Sequence, residues 1–182
     1  MTDKATARFY DVVETKFGWM GLLASPHGIR RTTLPQPSAT DCVALLGHEA
    51  HDAEFAPERF ADLNKRLDHY FASGETEFDD EALDVSDAPP FLRSAWQACG
   101  SIPAGETRTY LWLAASAGRP RAARAAGQSM ARNRFPIVVP CHRVIASDGG
   151  LRGFGRGASQ LDLKRRLLDL ESGASQARFP RT

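Results

Sequence analysis

At 182 residues the chain has the length for one domain or two small lobes with a real core, and its 42% hydrophobic and 25% charged residues are ordinary for a globular protein. No apolar run approaches a membrane span, Met1 to Tyr10 lacks a signal-peptide layout, and three scattered cysteines without C-x-x-C argue against a disulfide framework, so a cytoplasmic setting is expected. The net charge of +1 conceals a polarity: residues 1–90 hold 8 Lys/Arg against 17 Asp/Glu (−9), residues 91–182 hold 15 against 5 (+10). A half rich in arginine suits contact with a polyanion, although two lobes attracting each other would carry the same pattern.

In chain order, F-Y-D-V-V, W-M-G-L-L-A and G-I-R-R-T-T-L are short β-type runs broken by turn residues such as S-P-H-G, which predicts a small antiparallel sheet. Pro57 to Phe71 has apolar residues at helical spacing (Phe60, Leu63, Leu67, Tyr70, Phe71) and a stop at Gly74. The acidic run E-T-E-F-D-D-E-A-L-D and the following D-A-P-P read as an exposed connection between lobes. Helices are then predicted from the Pro89–Pro90 pair to Gly100, from a Thr109 cap to Gly118, from Pro120 to about Asn133, and over roughly Gln160–Ser172. The second and third of these are separated only by a Gly-Arg-Pro turn, the layout of a helix-turn-helix. The expected domains are 1–88, an α/β lobe with its acidic linker, 89–173, and a flexible tail over 174–182.

The second helix of that pair, A-A-R-A-A-G, offers methyl groups and a single Arg124 where a major-groove reader would carry several Arg, Asn or Gln. Small side chains permit approach to a minor groove about 6 Å wide, or tight packing on a neighbouring helix. Downstream, F-P-I-V-V reads as a short buried strand leading into P-C-H-R-V-I. On an extended strand Cys141 and His142 would point to opposite faces, so joint chemistry requires a turn or a bridging group. A lone cysteine is more often inert than nucleophilic, but His142 is a base with a near-neutral pKa and Arg143 adds charge favouring a thiolate. The loop A-S-D-G-G-L-R-G-F-G-R-G follows, with five glycines that allow a flat ligand to approach the backbone. His48 and His51 in H-E-A-H do not match the H-E-x-x-H metal spacing and read as a solvated helix face, while Cys42 and Cys99 read as core thiols.

G-E-T-R-T-Y, G-R-P-R-A-A-R-A-A-G, A-R-N-R-F-P-I-V-V and P-C-H-R-V-I together resemble the O6-alkylguanine-DNA alkyltransferase family over about Phe91–Glu171, and G-W-M-G-L-L-A-S-P-H-G-I-R-R extends the likeness more weakly into the first lobe. The resemblance implies an α+β fold of two lobes: an N-terminal small antiparallel sheet with helix (ribonuclease H-like), and a mainly helical C-terminal lobe with a helix-turn-helix (winged-helix-like). It implies that Cys141 accepts the alkyl group, that His142 acts as base through a water, that Glu171 orients His142, and that Tyr110 gives a proton to the departing guanine. Arg124 would enter the base stack, with Ala122, Ala123, Ala125 and Gly127 on the minor-groove face and Arg121, Thr109 and Arg134 beside the DNA. Asn133 would hold the turn before Cys141, and Met130, Val144, Phe154 and Gly155 would line the pocket with Tyr110.

The implied function is direct repair of O6-alkylguanine, and of O4-alkylthymine, by one irreversible transfer per molecule. No metal or cofactor is expected. The partner would be double-stranded DNA entered from the minor groove with little sequence preference, bound by a monomer, with no membrane role. Several positions depart from the family pattern: Arg134 replaces a proline, Phe154 a tyrosine, Gly155 a serine, Arg152 a small residue, and about three extra residues separate F-G-R-G from Glu171. The alternative is a non-catalytic helix-turn-helix DNA-binding or damage-sensing protein. Cys141 argues against the sensor, and the alanine-rich helix against a sequence reader.

Overall fold

A computed structural model describes residues 7–154 and 159–178, the side chains of residue 159 and of 174–178 excepted. The chain is mixed α+β and divides into two compact units. The first comprises residues 1–72, 80–86 and 134–136; the second comprises 73–79, 87–133 and 137–182.

In the first unit, β1 (Phe9–Thr15), β2 (Gly18–Ser25) and β3 (Gly28–Thr32) form an antiparallel meander, and β4 (Glu54–Phe55) adds to β1 in parallel, giving the order β3-β2-β1-β4. The meander follows the alternating runs and their turns; the two-residue β4 is too short to leave a periodic signal. Helix α1 (Ala39–Leu46) is capped by Ser38, whose Oγ accepts from Asp41 N, and α2 is the four-residue His48–His51 with both histidines exposed. A 3-10 turn (Pro57–Phe60) leads into α3 (Ala61–Ser73), which buries Leu63, Leu67, Tyr70 and Phe71 at helical spacing.

The acidic connection departs from expectation. Residues 80–86 are part of the first unit: Ile29 N donates to Ala82 O and Asp84 N to Ile29 O, both at 2.7 Å, so the segment runs beside β3. Asp84 is buried and accepts from Ser25 Oγ at 2.7 Å, Ser86 Oγ at 2.8 Å and Arg30 Nη1 at 3.3 Å. Residues 73–79 cluster with the second unit, where Phe78 is buried. Burying one such ring stabilises by about 2 kcal/mol, enough to hold a segment that composition alone reads as exposed.

The second unit is helical around a two-stranded parallel pair. Helix α4 (Pro90–Gly100) buries Ala95, Trp96 and Cys99, and Trp96 Nε1 donates to Ser129 O at 3.2 Å. Strand β5 (Arg108–Thr109) pairs with β6 (Val144–Ile145), a link that neither dipeptide announces in sequence. Helix α5 (Tyr110–Ser116) begins at a Thr109 cap and is closed after its last residue by Gly118, whose φ of 83° lets Arg119 N turn back to Ala114 O while Gly118 N bonds Ala115 O. Helix α6 covers Ala123–Ala131; it starts three residues after Pro120, because Arg119 to Arg121 are used in the turn between the two helices.

Helix α7 runs Ser159–Arg178, past the expected end at Ser172 and into the segment read as a flexible tail. Gly173 alone costs a helix about 1 kcal/mol, and the Ala-Ser-Gln-Ala that follows tolerates helix; residues beyond Arg178 lie outside the described residues. Among the described residues no helix is long and apolar enough to cross a membrane.

Candidate active site

The run F-P-I-V-V is not a strand. Residues 137–138 form a turn, with Ile137 buried at a φ of 76°, a conformation rare for a β-branched residue and one that only the surrounding packing can hold. Asn133 Nδ2 donates to Val139 O at 2.8 Å, tying the end of α6 to the residues before the cysteine. Cys141–Arg143 then form a 3-10 turn, in which successive side chains fan out at about 120° rather than 180°. Directly afterwards, β6 hydrogen-bonds to β5, so the turn with Cys141 is anchored to the residues that open α5.

Cys141, His142 and Arg143 are all buried, His142 completely. His142 Nε2 lies 2.7 Å from Glu171 Oε1 on α7. A carboxylate only accepts, so Nε2 carries the imidazole proton and Nδ1 is the basic nitrogen. Arg143 lays Nε and Nη2 on the same carboxylate at 3.0–3.2 Å, and Gly105 N donates to its Oε2 at 3.2 Å. Burial alone would raise the Glu171 pKa, yet His142 and Arg143 pull it down to about 2, so it stays ionised. Burial pushes His142 below its ordinary value against the pull of Glu171, leaving the imidazole neutral and able to take a proton.

Burial also pushes the Cys141 thiol up, opposed by a hydrogen bond from Asn133 and the charge of Lys164. The sequence assigned that electrostatic help to Arg143; the structure commits Arg143 to carboxylates and puts Lys164 in the role. Lys164 is fully buried, donates to Val144 O at 2.7 Å, and has its own pKa lowered by burial. Its spacing with Leu167 and Glu171 on α7 was the available signal, masked by the neighbouring Arg165 and Arg166, which are exposed.

Tyr110, at the first position of α5, donates its hydroxyl to Arg152 O at 3.0 Å. Burial raises its pKa, and the nearby thiols Cys141 and Cys99 add to the shift, so the phenol keeps its proton. Phe154 is buried and meets the His142 ring edge-on, with centroids 6.4 Å apart. Val144 and Met130 are buried, and a Cβ at Gly127 would sit 3.8 Å from the Tyr110 ring. Gly155 lies outside the described residues.

On the helix-turn-helix, Arg121 and Arg124 are exposed, while Ala122, Ala123 and Ala125 are half-buried. The Thr109 hydroxyl is occupied as the α5 cap, accepting from Trp112 N at 3.1 Å. Arg134 is half-buried within the first unit, where its carbonyl accepts from Thr32 N at 2.8 Å.

The second unit thus brings together a buried thiol, a neutral imidazole hydrogen-bonded to an ionised carboxylate, and a protonated phenol, the group types that nucleophilic and acid–base chemistry requires. The sequence model described as 6-O-methylguanine DNA methyltransferase, DNA binding domain, matches residues 90–173. Over 163 residues the chain is 37% identical to the methylated-DNA–protein-cysteine methyltransferase of Methanosarcina barkeri, covering 90% of this chain and 96% of the relative. The chain belongs to this family. The constitutive methylated-DNA–protein-cysteine methyltransferase of Bacillus subtilis is 34% identical, over 90% of this chain and 94% of that one. Among solved structures, Mycobacterium tuberculosis OGT in complex with DNA superposes with a TM-score of 0.73 at 34% identity, covering 91% of this chain and 94% of that chain. The likeness to these structures spans both units, so the α+β architecture is shared along with the helical unit that holds Cys141.

Proposed function

We propose that this protein repairs O6-alkylguanine in DNA by moving the alkyl group irreversibly to Cys141. The observation that carries the reading is the 3-10 turn: it presents a buried thiol next to a neutral imidazole whose Nε2 is locked on Glu171 at 2.7 Å. His142 takes the thiol proton through a water. The sulfur forms a bond to the alkyl carbon as the carbon–O6 bond breaks, and the electron pair passes into the guanine ring system. Tyr110 supplies the proton that leaves guanine neutral, and the proton held on His142 returns to the phenolate. A thioether and an unmodified base result, and the thioether has no ready route back. Each molecule therefore reacts once.

The base must leave the duplex to reach a thiol this buried. The helix-turn-helix approaches the minor groove through the small side chains of Ala122, Ala123, Ala125 and Gly127; Arg124 fills the vacated place in the stack, and Arg121 and Arg134 contact phosphate. Sequence preference is weak because these residues offer few donors to base edges. The protein acts as a monomer in the cytoplasm, on O4-alkylthymine as well as O6-alkylguanine, with a ribonuclease H-like first lobe and a winged-helix-like second lobe. Incubation with excess O6-benzylguanine tests the reading: one equivalent of guanine released per protein supports it, and either sustained release or none contradicts it.

A further inference from the structure

The acidic stretch Glu75–Asp79 has no part in the scheme above, yet it touches the site. Glu77 Oε2 accepts from Arg143 Nη1 at 3.1 Å, and Glu77 Oε1 accepts from Ala104 N at 2.7 Å. The same loop gives Gly105 N to Glu171, and Arg143 Nη1 also donates to Ile102 O. Three neighbouring loop residues are thus each held by one member of a Glu77–Arg143–Glu171 chain. A planar guanidinium can serve two carboxylates only when both edges are occupied in fixed geometry. Glu77 occupies the edge that Glu171 does not.

The backbone of the same segment grips α7 at the matching level. Gly74 has a φ of 75°, and a Cβ there would stand 2.7 Å from Leu170 O and 3.1 Å from Glu171 Cα. Phe78, next to Glu77, is buried and fixes the far end. The segment therefore touches Glu171 twice: at its backbone through Gly74, and at its carboxylate through Glu77 and Arg143.

Resting on the repair reading, we infer that residues 73–79 brace the active-site carboxylate, with Glu77 a positioning residue that holds Arg143 on Glu171 and thereby holds His142 in its Nε2–H tautomer. Removing the Glu77 carboxylate leaves Arg143 Nη1 on the Ile102 carbonyl alone and leaves the Ala104 amide without its acceptor. With one carboxylate fewer and a loosened 102–105 loop, Arg143 holds Glu171 less rigidly, and the His142 Nε2 bond is less tightly fixed. Glutamine keeps an acceptor for the Ala104 amide and the shape of the site, so it substitutes in part.

Single-turnover labelling of the full chain with O6-benzylguanine separates the maximal rate, the half-saturating concentration and the fraction labelled. Glu77→Ala is expected to lower the maximal rate about tenfold, a part of the usual general-base contribution, with the other two quantities unchanged. Glu77→Gln is expected to stay within about threefold of the wild type. Nitrogen-15 spectra should show His142 as one Nε2–H tautomer in the wild type and Glu77→Gln, and as a mixture in Glu77→Ala. Equal maximal rates for Glu77→Ala and wild type, or a loss confined to the fraction labelled, overturns the brace. A wild type that takes no label refutes the repair reading instead, and the His142 spectrum then decides the brace alone: an unchanged tautomer in Glu77→Ala overturns it.

Discussion

Among the described residues each unit holds one buried carboxylate drawn down to about pKa 2, and the two are built differently. Asp84, in the first unit, is penalised by burial but held ionised by two serine hydroxyls, the Ser86 amide and Arg30. Glu171, in the second, is held ionised by His142 and Arg143. Both satisfy the rule that a buried charge needs partners. Asp84 is surrounded by groups that do not titrate near neutrality, so it can only hold β3 and its neighbouring segment together. One partner of Glu171 is an imidazole adjacent in sequence to a thiol, so the same electrostatic solution also fixes the orientation of a group that can titrate. A strongly shifted carboxylate is therefore no mark of an active site until its partners are named.

The largest effect that separates the two sites comes from the thiol. Cys141→Ser should reduce alkyl transfer by more than about a thousandfold, since a hydroxyl is far less nucleophilic at neutral pH, while binding to a duplex in gel shift stays within about twofold. Next, Glu171→Gln should lower the single-turnover rate about a hundredfold and destabilise the fold by about 3 kcal/mol, the usual cost of breaking a buried ion pair. Asp84→Asn should lose about 1–3 kcal/mol in urea unfolding with a transfer rate unchanged at temperatures where it is folded. If Asp84→Asn slowed the chemistry as much as Glu171→Gln, the distinction between the two carboxylates would fail.

Arg124→Ala should slow repair of duplex DNA about tenfold or more, the scale of a lost contribution of a few kcal/mol to base extrusion, and leave the reaction with free O6-benzylguanine within about twofold. Equal slowing of both would remove Arg124 from the extrusion step.

The smallest effect is the shared acid response. Both carboxylates have folded pKa values below their ordinary ones, so their stabilisation is complete above about pH 4.5 and is lost as pH falls toward about 2. His142 is also held below its ordinary 6.5, so it too opposes folding as pH drops from there. The melting temperature should fall on acidification from about pH 6.5 and more steeply below about 4.5. In Glu171→Gln the steep part should shrink but persist through Asp84. A melting temperature flat between pH 7 and 4 would contradict the buried network.

How far all this was legible in the sequence differs element by element. The meander, α3 and α4 follow from alternation, helical spacing and proline or glycine boundaries, which act within a few residues. Cys141, His142, Glu171 and Tyr110 were legible as motif positions, and the structure brings His142 and Glu171 into hydrogen-bond contact across 29 residues of chain. What was not legible depends on long-range partners. The β5–β6 pairing is two residues deep, so no periodicity can reveal it. F-P-I-V-V has strand composition, but Ile137 takes a left-handed turn that tertiary packing imposes. Glu77 and Asp84 sit in a run whose acidity signals exposure, and the burial of Phe78 within it is set by tertiary packing. Lys164 stands in a run of three cations with Arg165 and Arg166, and nothing local marks it as the buried one. Composition reads average exposure, and these few residues are the exceptions to the average.

The most direct test is the peptide mass of the Cys141 region after the intact protein meets one equivalent of duplex with a single O6-methylguanine. A gain equal to one methylene on the peptide bearing Cys141, with guanine restored in the DNA and no second turnover, is the predicted result. An unmodified Cys141 peptide beside a repaired duplex, or an untouched duplex from protein that still binds it, contradicts the account.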